Sequence, residues 1–546
     1  MPDRRVRHAG AAALVFVAAL LACSTACAHP VDCDDPAAKF EGMPADWAAE
    51  NPCRSAPAGG GPQTASAMSA GTARPNISHS ALPGRLRQVG HNALMNRGMN
   101  AALALNGDYA YIGSRTDGGH AGQPHGGLLV VDISRPSRPR VVGGPFDATP
   151  GESSRELRVW RSQDILIVLN TNCGVGPTLH HCTQPSISNI RFYDIGGRNA
   201  RAPKLVNQFN VDTHEFFLWQ DPKDSGRALI FAGNAASTCG TRGGAPSCPF
   251  SVWDISGVPD GDEPATLYTG LHGFTQVPPT GEPVVTPTGG LHSLTVTNSG
   301  RRAFYALLTG GFAMIDTSEF AEGKALPQPK LITDNEARPT WPGPGAHSAI
   351  KLWNRDWAWV SDEVYGTATA PDHGCPWGWA RLVDISDPHK PAVRSEYREP
   401  ENDPATCTTW NPPHTSYSAH NPTLTPHIAF STWHSGGVQA IDISNPRRPA
   451  QLAEFLPRPL GHVMLEDPRL SSDPDTGRNE KVVMWSYPVI QDGLMYVIDL
   501  RNGLYVLDYK GPHAKEVRGI DFLEGNSNQG DALCFEPVGR APRSCR

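Results

Sequence analysis

The sequence predicts an all-β protein, a seven-bladed β-propeller of four-stranded blades, on three observations: a motif that recurs seven times, a near-constant period, and a strand grammar inside each period. The motif is an apolar run ending in Asp. It reads Leu129-Val130-Val131-Asp132, Phe192-Tyr193-Asp194, Val252-Trp253-Asp254, Met314-Ile315-Asp316, Leu382-Val383-Asp384, Ala440-Ile441-Asp442 and Val506-Leu507-Asp508. Successive aspartates lie 62, 60, 62, 68, 58 and 66 residues apart. A period that survives loops of differing content marks one supersecondary unit built seven times.

Within unit one, Asn100 to Leu105 is followed by the turn Asn106-Gly107, then by Tyr109 to Ser114, a Gly-rich loop, Leu128 to Ile133, and Arg140 to Val142. These runs are short, β-branched or aromatic, and bounded by Gly, Pro, Asn and Asp. Runs such as Leu128 to Val131 and Ile165 to Leu169 are apolar without alternation, as strands covered on both faces are. The aspartate that ends each third strand is expected to accept backbone N–H bonds in the following turn. Two segments compete to complete unit seven: Arg85 to Val89 and Glu516 to Phe522.

The signature Gly127 to Pro139, echoed at Leu382 to Pro391 and Ala440 to Pro449, resembles the LVIVD repeat family of secreted or surface propellers. The resemblance implies the fold over roughly residues 85 to 520 and says little about activity, because propellers host binding and catalysis alike.

The 546 residues carry 47 Lys and Arg against 54 Asp and Glu, a net charge of −7. That balance gives no basic footprint for nucleic acid. Arg4, Arg5 and Arg7 precede an apolar stretch from Ala9 to Ala22, the pattern of an export signal over residues 1–22. Leu20-Leu21-Ala22-Cys23 resembles a lipobox, placing a lipid on Cys23; cleavage after Ala28 is the competing reading. Residues 23–83, rich in Ala, Gly, Pro and Ser, read as a tether; 84–522 as the propeller; 523–546 as a loose tail. Ten cysteines pair in order, Cys33 with Cys53, Cys173 with Cys182, Cys239 with Cys248, Cys375 with Cys407, and Cys534 with Cys545, which suits an oxidising compartment. The expected setting is the bacterial cell envelope, lipid-anchored or periplasmic, as a monomer whose one link to a membrane is the N-terminal lipid.

In the usual propeller order the first strand of each blade lines the channel. The two-to-three loops and the crossings between blades, many of them long here, then emerge on one face. Four units place a histidine where a crossing loop enters the channel: His214, His292, His347 and His420. Imidazoles converging on an axis can hold a single zinc, copper or iron, with Glu215 or Glu363 as a supporting carboxylate or base. The competing reading treats the histidines as a repeat feature whose rings bond a neighbouring blade. Arg97, Arg155, Glu156, Asp362, His434 and Arg478 are expected on the same face. Two functions remain open: a module that binds a protein or small molecule through the long-loop face, and a metal-dependent oxidoreductase or hydrolase.

Overall fold

The structure is a computed structural model and describes residues 82–536 except 116–124, 148, 150–151, 173–186, 235–238, 243, 271–274, 277–283, 286–289, 309, 342–344, 364–377, 403–416 and 467–480. Seven antiparallel sheets follow one another along the chain, each beginning with its innermost strand. Those inner strands are Asn100–Asn106, Glu152–Trp160, Glu215–Gln220, Ser293–Val296, Gly345–Lys351, Pro422–Leu424 and Val489–Gln491. The third strand of each carries the repeated motif, and in Leu128–Asp132 and Val438–Asp442 it is buried along its length up to the aspartate. Outer strands such as Arg140–Phe146 alternate exposed and half-buried residues.

Seven apolar cores lie between neighbouring blades and close the ring. Leu157 and Leu166 of blade two pack on Ala104 and Tyr111 of blade one, and Leu103 and Ile112 of blade one pack on Val489 and Val506 of blade seven. A blade covered on both faces has no free sheet surface, and its edges are the short inner and outer strands alone.

The ring is closed by Arg85–Asn92, which pairs with Gly503–Lys510 as the outermost strand of blade seven. The competing segment does not take that place: Ala514–Arg518 is helical, and Phe522–Glu524 adds a strand on the channel side of Val489–Gln491. Six of the repeated aspartates cap turns as the sequence predicts. Asp132 accepts from the Ser134 backbone at 3.0 Å and Asp442 from the Ser444 backbone at 2.7 Å. In blade seven Asp508 instead pairs with Arg87 and Lys510, at 3.0 and 2.8 Å.

The C-terminal segment corrects the expectation of a loose tail. Asn526 donates to the Phe216 carbonyl at 2.8 Å, Asn528 exchanges bonds with both backbone groups of Gln220, and Gln529 donates to the Val159 carbonyl at 2.8 Å. Farther along, Asn298 donates to the Ala532 carbonyl and Lys351 reaches Glu536 at 2.9 Å. The tail thus lies against the inner strands of blades two to five toward their C-terminal ends. Gly525 is required by this route, because a Cβ there would lie 2.1 Å from the Pro422 carbonyl oxygen. The segment therefore covers that end of the channel, opposite the end where the inner strands begin.

One buried guanidinium anchors this segment. Arg158 stands 2.9 Å from Glu156 and 3.2 Å from Glu524, all three enclosed. Burial pushes the Glu524 carboxyl up to about 7 against the pull of Arg158. The folded chain then holds a proton on Glu524 that the unfolded chain releases near 4.5, so stability falls as pH rises from 4.5 to about 7. Urea midpoints for the parent and Glu524→Gln across that window check this; the variant should lose part of the decline.

Cys239 and Cys248 form a disulfide around the small hairpin Gly240–Arg242 and Ala245–Ser247. Cys534 is also disulfide-bonded. The other expected pairs, Cys23 and the signal lie outside the described residues. No helix among the described residues is long and apolar enough to cross a membrane.

Candidate metal centre

The repeat brings four histidines to one end of the channel because each opens an inner strand. His214 precedes Glu215–Gln220, His292 precedes Ser293–Val296, His347 lies near the start of Gly345–Lys351, and His420 comes just before Pro422–Leu424. Two further donors come from other strands. Glu363 ends the second strand of blade five, paired with Gly345, and His434 follows the second strand of blade six. The imidazoles form an arc around the mouth, with successive ring centroids 4.1, 3.9, 4.4 and 5.1 Å apart from His214 through His292, His347 and His420 to His434.

The four predicted ligands do not share one point. Potential ligand atoms gather instead in three overlapping triads, His214 with Glu215 and His292, His292 with His347 and Glu363, and Glu363 with His420 and His434, each within 4.8 Å. Except for half-buried His214, every member is buried.

Hydrogen-bond partners assign the tautomers. The His420 Nδ1–H donates to the Trp485 carbonyl at 2.6 Å, which leaves the Nε2 lone pair bare. That Nε2 faces Glu363 Oε1 at 3.3 Å. Ser348 donates to the Asn421 side-chain oxygen at 3.3 Å, so its Oγ accepts from His347 Nδ1 at 2.7 Å. His347 Nε2 is then bare, 3.3 Å from Glu363 Oε2 and 3.7 Å from Glu215 Oε1. At the far end Arg155, which can only donate, lies 3.1 Å from His214 Nε2. His292 Nε2 must then donate into the same lone pair at 2.7 Å, leaving its Nδ1 bare toward Glu215 Oε1 at 3.9 Å.

Three imidazole nitrogens thus face carboxyl oxygens at 3.3 to 3.9 Å. Glu215 Oε2, His292 Nδ1 and Glu363 Oε1 have no hydrogen-bond partner. Burial drives His292, His347 and His420 well below the ordinary imidazole range, with neighbouring imidazoles and Arg155 adding to the effect, so the rings stay neutral. Burial, and after it the charge of Glu156, pushes Glu215 well above the usual carboxyl range. Neutral imidazoles and carboxylates, each ring held by an outer hydrogen bond, are how proteins present ligands to zinc, copper or iron.

Other expected site residues serve different ends. Arg97 is enclosed and donates to Asn100 and the His125 and Gly127 carbonyls at 2.8, 3.0 and 2.7 Å; it braces blade one and presents nothing to a ligand. Asp362 is likewise corrected to a structural role, because it binds Arg381 and accepts from Trp341 at 3.0 Å. Glu156 is turned to Arg158. Arg478 lies outside the described residues. Trp485 packs with Met99, Val483 and Leu500, and its ring also lies 4.2 Å from that of His420 and stacks on that of His434, forming one wall of the centre.

The family comparison meets this geometry at blade one, where the LVIVD repeat model matches residues 97–144. The chain carries an LVIVD repeat. The arc and its supports lie outside the matched residues. No curated protein matches this chain. Among solved structures, it is similar to Sqt1 from Chaetomium thermophilum, at 12% identity over 78% of this chain and 99% of that one, with a TM-score of 0.44. The C-terminal WD40 domain of Sif2 matches at 8% identity over 78% and 98%, TM-score 0.42. Raptor from Chaetomium thermophilum matches at 11% identity and TM-score 0.40, and there the match covers 78% of this chain but 29% of that one.

Proposed function

We propose that this propeller is a metalloprotein of the bacterial cell envelope, an enzyme whose transition-metal centre at the long-loop mouth activates a small molecule. The observation that supports it is the set of lone pairs facing carboxylates. His292 Nδ1, His347 Nε2 and His420 Nε2 meet Glu215 and Glu363 at 3.3 to 3.9 Å, a buried set of nitrogen and oxygen donors that a cation would hold together. A repeat habit in which rings bond neighbouring blades accounts for the contacts of His420 with Trp485 and of His214 with Arg155, but gives no role to two carboxyl groups set among the rings. The ion supplies Lewis acidity; the chain supplies buried ligands and the Trp485 wall. Arg155, beside His214, adds a guanidinium that suits an anionic group on the substrate. Export and a lipid on Cys23 rest on the N-terminal residues and complete the reading.

Metal content tests it. Mature protein purified without a histidine tag is expected to retain at least one transition metal per chain through gel filtration. A folded variant carrying His347→Ala and His420→Ala should hold none. A parent that stays metal-free after reconstitution overturns the reading.

A further inference from the structure

The geometry points to a two-metal centre in which the Glu363 carboxylate bridges the ions, an inference that rests on the metal reading above. Glu363 turns its two oxygens to two separate imidazole sets. Oε1 lies 3.3 Å from His420 Nε2 and 3.3 Å from His434 Nε2, while Oε2 lies 3.3 Å from His347 Nε2. Bonds of about 2.0 Å at tetrahedral angles place neighbouring ligand atoms about 3.3 Å apart. Each oxygen of Glu363 therefore already stands at the edge length of its own coordination shell.

One ion takes Glu363 Oε1, His420 and His434, three protein ligands with room for a fourth from solvent or substrate. The other takes Glu363 Oε2, His347 and His292, with Glu215 Oε1 at 3.7 Å from His347 Nε2 and 3.9 Å from His292 Nδ1. A single ion cannot use the whole set, because the donors fall into triads that overlap at Glu363 and not around one point. Two ions bridged by one carboxylate stand about 3.5 to 4 Å apart, the spacing at which both can hold the attacking and leaving oxygens of a displacement. The substrate class that fits is an ester or phosphoester with its anionic group toward Arg155.

His214 is excluded from the ligand set. Its Nε2 is engaged by Arg155 and by the His292 ring, and that contact aims His292 Nδ1 inward. His214 is a positioning residue.

Zinc alone is the probe. Tag-free mature protein is loaded with excess zinc, passed over a sizing column in the presence of a weak chelator, and assayed for zinc per chain. Two ions are expected, falling to one in His434→Ala and to one in His292→Ala, while His214→Gln, which keeps a side-chain hydrogen-bonding group, retains two. One ion in the parent overturns the two-metal centre and leaves the metal reading standing; no ion overturns both. Loading with copper(II) gives a readout that needs no variant. Two bridged ions couple magnetically and the resonance signal falls well below the copper content, whereas an uncoupled signal accounting for all the copper overturns the bridge.

Discussion

Glu363→Gln is expected to lower metal affinity by at least a hundredfold, about 3 kcal/mol, and to remove most of the thermal stabilisation that metal gives the parent. Among the described residues Glu363 is the one side chain that faces three imidazole nitrogens, so the amide removes the carboxylate common to both halves of the arc. A ligand at a thousand times its dissociation constant stabilises a fold by about 4 kcal/mol, and a site a hundredfold weaker keeps only about 1.4 kcal/mol of that. Without metal the order reverses. The glutamine N–H2 can donate to a bare imidazole lone pair, and the metal-free variant should unfold at or above the temperature of the metal-free parent. Paired thermal scans with and without zinc measure both effects; a variant that keeps the full zinc-dependent shift contradicts the assignment.

Arg158→Met is expected to destabilise the protein by about 3 to 5 kcal/mol, the cost of leaving buried charges without their partner. Arg158 is the cation facing both Glu156 and Glu524, and its Nε also donates to the Asn526 carbonyl at 3.2 Å. Losing it should loosen the tail from blades two and three as well as weaken the core. The penalty should shrink at low pH, because a carboxyl raised to about 7 takes up a proton and ceases to be an unpaired charge. Urea unfolding at pH 5 and pH 8 gives both numbers; an equal penalty at the two values contradicts this reading of the cluster.

The ring was legible because its information is periodic. The run ending in Asp132, Asp194, Asp254, Asp316, Asp384, Asp442 and Asp508 marks each third strand, and six of the seven cap the turns they should. Strand order within a blade then places His214, His292, His347 and His420 at one end without further information. That they form an arc and do not converge on one point was not legible in that way. Each inner strand is set at its own angle around the axis, so equivalent positions give an arc, and the carboxylates come from Glu215, next in sequence to His214, and Glu363 on a second strand.

The tail escaped sequence reading for a different reason. Gly525-Asn526-Ser527-Asn528-Gln529 has the composition of a loop, and its partners are backbone groups of Phe216, Gln220 and Val159, which leave no pattern in the sequence. Arg97 and Asp362 misled in the opposite direction. A charged residue near a channel mouth reads as a ligand contact, yet both are buried and satisfied within the blades.

The most direct test of the metal centre is an anomalous-difference map from crystals of tag-free, zinc-loaded protein, with data collected on either side of the zinc absorption edge. The account predicts two peaks, one within about 2 Å of each Glu363 oxygen, the first ligated by His420 and His434 and the second by His347. A channel mouth with no anomalous density, its imidazoles bonded to water or to one another, would contradict it.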